Sequence, residues 1–152
     1  MASRGAFAGR LISVRHRGQA LVETALVLPL LLLLAFGVVG VGRVTRAQMG
    51  VSAAAREAAR AGALASDPGT ALNQAQTTGQ SVATGYQLTN GSFQLTVDLG
   101  DFNPGGQVQA DASYTIHFKD LPLLGWTQLT VSSAHAEWID PYRSRWTSGS
   151  GS

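Results

Sequence analysis

The sequence predicts an α+β chain: a long N-terminal transmembrane helix followed by a small head with a short helix and an antiparallel sheet of 3–4 strands. Three observations carry that expectation. Nineteen uncharged residues run from Thr24 to Gly42, an Ala-rich stretch with helical spacing follows, and beyond about Thr84 the apolar period changes from 3.6 to 2. The chain has 152 residues, 45% apolar and 13% charged, which suits one folded domain and excludes a solvated disordered chain. There is no cysteine, so disulfides, thiolate metal sites and cysteine nucleophiles are excluded.

The first element is a basic leader, residues 1–18. Arg4, Arg10, Arg15 and Arg17 stand there without an acid, whereas the chain from Gln19 onward has 7 basic and 9 acidic residues. A basic head on a slightly acidic body argues against nucleic-acid binding, which wants its basic patch on the folded domain. It fits a leader held in the cytoplasm under the positive-inside rule.

The second element is one long helix over residues 19–66. Its transmembrane part, residues 24–42, spans roughly 28 Å at about 1.5 Å per residue, close to a bilayer's hydrocarbon core. Pro29 lies inside it as a helix kink, which membrane helices tolerate. A cleaved secretory signal is the competing reading. Its apolar region is ordinarily shorter, and Arg43 and Arg46 stand where the cleavage zone would be. The extension, 43–66, places Val44, Ala47, Val51, Ala54, Ala58, Ala61 and Ala65 along one side.

The head covers residues 67–140. Asp67-Pro68 opens a short amphipathic helix through Ala71, Leu72, Ala75, Gly79, Val82 and Ala83. Asn90-Gly91 reads as a hairpin turn between Tyr86-Gln87-Leu88 and the alternating Phe93, Leu95, Val97 and Leu99. GDFNPGG is turn chemistry. Val108, Ala110, Ala112, Tyr114, Ile116 and Phe118 form a half-buried strand, LPLLGW a loop, and Thr127 to Ile139 a final strand. Residues 141–152 read as a disordered tail.

Glu23 stands at the edge of the apolar run, where an acid implies a partner or a place at the interface. It is the fifth residue after Gly18, which closes the basic leader. That spacing resembles the type IV pilin leader, in which a prepilin peptidase cuts after the glycine. The wider stretch RGQALVETALVLPLLLLLAFGVVGVGR, with MGVSAAAREAARAGAL behind it, resembles the TadE-like pseudopilins of tight-adherence (Flp-type IVb) pilus systems. The likeness covers roughly residues 17–64, and LPLLGW is also similar to such proteins. The chain departs from that pattern at Thr24, commonly aromatic in these leaders, and at Gly40 and Val41, where an acid and an aromatic are frequent.

The resemblance implies a processing site at Gly18 and Gln19, Gln19 becoming the mature N-terminus. It also implies a pilin-type helix glutamate at Glu23, whose carboxylate pairs with such an N-terminus in an assembled fibre. The implied partners are the prepilin peptidase, other pilins and pseudopilins through the N-terminal helix, the inner-membrane assembly platform with its ATPase, and the membrane itself. The implied place is the cytoplasmic membrane in a single pass, with the N-terminus inside and the head outside. The resemblance implies a minor subunit in pilus assembly and cell adhesion; from the residues themselves, neither enzyme activity nor a cofactor is expected. The alternative is a single-pass membrane-anchored binding module that is neither processed nor assembled.

Catalysis finds little support. His16 lies in the leader, and His117 alternates with Ile116 and Phe118 on the polar side of a strand. His135 and Glu137 share a strand face, a spacing that chelates metal only with a third ligand, and no metal site is expected. Asp98, Asp101, Asp111 and Asp120 are scattered near turns without an EF-hand pattern, and no phosphate loop or nucleophile elbow is present. Of the tryptophans, Trp138 is expected in the core and Trp146 in the tail. A binding patch or a membrane interface is the other use of Trp126, Trp138 and Trp146.

Overall fold

The computed structural model describes residues 13–88, 92–121 and 125–142, with side chains from residue 18 onward. The chain divides into two compact units, Met1–Gly40 and Val41–Ser152. Five elements follow in order: α1 (Ser13–Leu64), α2 (Pro68–Gly85), β1 (Phe93–Asp98), β2 (Gln107–His117) and β3 (Gln128–Trp138). The layout is α+β, as the periodicities predict.

In the first unit the described side chains of α1 are mostly apolar and exposed. Leu21, Leu26 and Leu30 are 72%, 73% and 65% exposed. A core helix of a soluble protein would bury such residues, whereas a helix this long and apolar could span a membrane. The helix begins at Ser13 rather than at Gln19, so it already includes the end of the expected leader. Nothing from Val14 to Arg17 breaks a helix, and arginine is a good helix former. The helix assignment also runs unbroken through Pro29. Proline lacks the N–H that would reach the carbonyl of Ala25.

In the second unit the remaining turns of α1 and the whole of α2 lie over one face of a three-stranded antiparallel sheet, ordered β1-β2-β3. Asp67 caps α2. Its Oδ1 accepts from the Thr70 N–H at 2.9 Å, and Pro68 supplies the first turn. An Asp67→Ala chain is expected to melt a few degrees below wild type, read by circular dichroism of the full chain in detergent, because the cap hydrogen bonds disappear.

The other end of α2 replaces an expected strand. Gln87 N–H bonds the Thr84 carbonyl and Leu88 N–H the Ala83 carbonyl, both at 2.9 Å, with Gln87 at φ 62°. This is a Schellman closure with a left-handed residue after the cap. It uses the donors that a Tyr86–Leu88 strand would have offered to a ladder. Among the described residues the sheet therefore starts at Phe93 and has three strands; Asn90-Gly91 lies outside them.

The register pairs Leu95 with Ala112 and Val97 with Ala110 across β1 and β2, and Tyr114 with Val131 across β2 and β3. Along β2, Val108, Ala110, Ala112, Tyr114 and Ile116 are buried, while Gln109, Asp111 and His117 face solvent. Thr115 and Thr130 share a hydroxyl hydrogen bond at 3.0 Å on that outer face.

Most of the core is alanine. Ala58 and Ala59 of α1, Ala75 of α2 and Ala110 of β2 form one cluster, with Leu95 and Val97 against it. Ala63, Val108 and Ile139 form another. Side chains this small let backbones approach closely, and two glycines complete the seam. A Cβ on Gly50 would stand 2.8 Å from the Tyr86 Cβ, and one on Gly79 would overlap the Leu95 Cδ2. The predicted stripe holds at Ala47, Val51, Ala54, Ala58 and Ala65, while Val44 and Ala61 are only half-buried and the buried face extends to neighbouring alanines. Ala55, Ala59 and Ala63 are buried as well as Ala47, Val51, Ala54, Ala58 and Ala65.

Trp138 corrects an expectation of core packing, for it is 67% exposed. A strand's period of two decides this. Leu129 and Val131 share the helix-facing side, so even-numbered Trp138 falls on the other side, opposite Gln107.

Candidate assembly helix and processing site

The residues that the sequence singles out are held by α1. Gly18, Gln19, Glu23 and Pro29 all lie on it, and a Cβ at Gly18 would meet nothing within 4 Å. Gln19 and Glu23 are four residues apart, so they share one face, about 6 Å apart along the axis. The Gly18–Gln19 bond is inside the helix, not ahead of it. Glycine is the weakest ordinary helix residue, costing about 1 kcal/mol relative to alanine. The backbone there opens more easily than at its neighbours.

Thr24 Oγ1 donates to the Ala20 carbonyl at 2.9 Å, so the hydroxyl next to Glu23 is satisfied within the helix. Thr45 does the same toward Val41 at 3.0 Å, beyond the far end of the uncharged run. Over this stretch Leu21, Val22, Leu26, Val27, Leu28 and Leu30 to Leu34 are all exposed. The helix is long and apolar enough to cross a membrane, by length and composition.

In the second unit a cleft of about 290 Å³ opens between α1, the end of α2 and the end of β2, lined among others by Arg43, Arg46, Tyr86, His117 and Asp120. Arg43 Nη1 donates to Asp120 Oδ2 at 2.8 Å, and Arg46 Nη1 to Gln87 Oε1 at 3.1 Å. These pairings were not legible in the sequence. Residues 43 and 120 lie 77 positions apart, and only the fold brings them together.

The Arg43 guanidinium, through its hydrogen bond and its charge, holds the Asp120 carboxyl below its ordinary value of 3.8. At Asp67 the Thr70 hydroxyl and N–H have the same effect. A carboxyl depressed on folding adds stability that is complete above its unfolded value and is lost as pH falls through the folded one. The melting temperature of the full chain in detergent is therefore expected to hold from neutral pH to about 5, then fall below about 4. An Asp67→Asn, Asp120→Asn chain should lose less over that acid range.

His135 Nε2 and Glu137 Oε2 are 3.7 Å apart, and both side chains are partly exposed. Among the described residues no group of three or more His, Cys, Asp or Glu side chains is arranged to hold a metal ion. His117 is exposed at the end of β2, as its alternation predicts. Trp126 is 84% exposed; Trp146 and most of the expected leader lie outside the described residues.

Comparison with curated proteins and with solved structures finds no match. Residues 18–60 match the family described as TadE-like protein, so the resemblance holds over the helix that carries Gly18, Glu23 and the apolar run.

Proposed function

We propose that the protein is a minor, pilin-like component of a tight-adherence type pilus apparatus. A prepilin peptidase removes the leader after Gly18, and the chain assembles through its apolar helix. The observation that carries this reading is the Gly18-to-Glu23 spacing within the TadE-like segment, directly ahead of an apolar helix surface that the protein leaves uncovered. Small-residue and leucine surfaces of this kind pack against other helices in lipid. The partners that follow are the peptidase, sister pilins and pseudopilins, and the inner-membrane platform. The orientation that fits is N-terminus inside and head outside, with the arginine-rich leader retained in the cytoplasm.

One observation favours a second reading, an anchored binding module that is never cut. The Gly18–Gln19 bond lies inside a formed helix, and a peptidase needs extended backbone. Intact mass and N-terminal sequencing of the protein from native membranes, with and without the peptidase, separates the two. A start at Gln19 that requires the peptidase supports the pilin-like reading. A start within the first few residues in both strains supports the anchored module, and a start beyond Gly42 supports a secreted head.

A further inference from the structure

The cleft between α1, the end of α2 and the end of β2 lies wholly within the second unit, and its floor and rim differ in chemistry. Ala47, Leu88 and Ile116 make an apolar floor, each at most 6% exposed. Arg43 is half-buried, and Arg46, Tyr86, His117 and Asp120 are exposed at the rim. Two guanidinium groups stand there against one carboxylate, which leaves a positive charge over. Both guanidinium groups are held in place. Arg43 Nη1 donates to Asp120 Oδ2 at 2.8 Å and Arg46 Nη1 to Gln87 Oε1 at 3.1 Å. A guanidinium has five N–H donors. Among the described residues no other hydrogen bond engages either group, so each keeps donors to spare. Gln87 is itself unusual, for it occupies a left-handed position, φ 62°, where glycine is the ordinary residue. Glycine would close α2 with less strain and would leave Arg46 without its acceptor.

Tyr114 points to a ligand independently. It lines the cleft at 7% exposure, yet its hydroxyl has no hydrogen-bond partner among the described residues. A buried tyrosine ordinarily finds one. Every described side-chain nitrogen or oxygen that is sealed from solvent has a partner, so this hydroxyl is not sealed, and the cleft is its opening. A phenol O–H beside guanidinium forks is oxyanion chemistry. The floor decides which oxyanion. Inorganic phosphate is polar on every side and gains nothing from Ala47, Leu88 and Ile116, whereas an organic carboxylate has one charged end and an apolar stem. The volume, about 290 Å³, suits a short group rather than a large cofactor. We propose that this cleft binds an organic carboxylate, its oxygens taken by Arg43, Arg46 and the Tyr114 hydroxyl and its stem laid on the apolar floor, with Asp120 and Gln87 as positioning residues for the two guanidinium groups. The site belongs to the second unit alone and does not depend on processing, assembly or a membrane.

The test uses the full chain in detergent, labelled with 13C-tyrosine, and follows the tyrosine ring signals by NMR. Tyr114 and Tyr86 line the cleft, while Tyr142, 92% exposed, lies outside it and is the internal control. Butyrate, N-acetylglutamic acid amide and inorganic phosphate are each titrated against chloride at equal ionic strength. The Tyr114 signal is expected to shift and saturate with the two carboxylates, with Tyr142 unmoved and phosphate weaker. Arg46→Gln should raise the Kd about tenfold, and Arg46→Lys, which keeps the charge and loses the fork, should raise it less. Tyr114→Phe, followed on Tyr86, should raise it about fivefold at an unchanged melting temperature, because the hydroxyl bonds nothing in the protein. Tighter binding of the blocked glutamate supports the site with an acidic side chain of a protein as the source, and tighter binding of butyrate supports it with a free acid. No saturable shift of Tyr114, or a Kd that Arg46→Gln leaves unchanged, overturns the proposal. Phosphate binding as tightly as the carboxylates overturns the choice of ligand.

Discussion

A Glu23→Ala chain is expected to enter the membrane at the wild-type level and to be lost from the assembled apparatus. Insertion is driven by the apolar run, and removing an acid from its edge can only ease that step. Assembly asks something different of the same residue. An ionised side chain within a helix in lipid costs up to about 2.5–3.5 kcal/mol at the centre and less near the interface. Packing against other helices takes Glu23 away from headgroups and water, so the packed state must supply a counter-charge. In the proposed assembly that counter-charge is the N-terminal amine exposed by cleavage before Gln19, and alanine removes the specific pairing. Co-purification with sister subunits should fall by about tenfold or more, equivalent to about 1.4 kcal/mol. Glu23→Gln should restore little, since it keeps the shape and loses the charge. Unchanged co-purification of the alanine chain would overturn the role given to Glu23.

The second large effect is on folding. Gly79→Val is expected to destabilise the head by about 1–3 kcal/mol, the usual range for overpacking a filled core. A Cβ at Gly79 overlaps the Leu95 Cδ2, stands 3.2 Å from the Ala58 Cβ and 3.5 Å from the Ala54 carbonyl. The Leu95 tip can rotate aside, but the α1 backbone cannot. Alanine at the same position is milder, because about 1 kcal/mol of helix propensity offsets part of the crowding. Valine brings two further methyl groups and recovers less propensity. Gly85→Ala is the control, since its Cβ meets nothing within 4 Å. Thermal unfolding of the full chain in detergent should rank Gly85→Ala at or above wild type, Gly79→Ala slightly below it and Gly79→Val lowest.

Local pattern made the long elements legible. The uncharged run, the alanine stripe, the Asp67-Pro68 cap and the alternation along β2 each report a periodicity or a cap that few neighbours can override. Legibility failed where two local signals competed or where partners are distant. Tyr86-Gln87-Leu88 has strand chemistry beside a hairpin turn signal, yet the helix before it closes on those same N–H groups. For Trp138 two signals conflict, since aromatic bulk points to the core while strand parity turns the ring outward. The pairing of Arg43 with Asp120 has no local signature at all, because it depends on where the β2–β3 loop returns to α1. The candidate processing site is the opposite case. Gly18, Gln19 and Glu23 are close in sequence, so the resemblance to the pilin leader names them without the fold, while the helix extending back to Ser13 has no such local signal.

The alanine and glycine seam also changes what ordering this head requires. Alanine and glycine have no side-chain rotamers to freeze, so assembling Ala54, Ala58, Ala75 and Ala110 costs almost no side-chain entropy. The gain is equally small per residue, since each buries little surface and the largest fully buried side chains are Val51 and Val108. What remains is many weak contacts that all require the same close spacing of backbones. Such a joint is decided by shape rather than by greasiness. A slip of α1 along the sheet would lose most of its contacts at once, with no long side chain able to reach across and restore them.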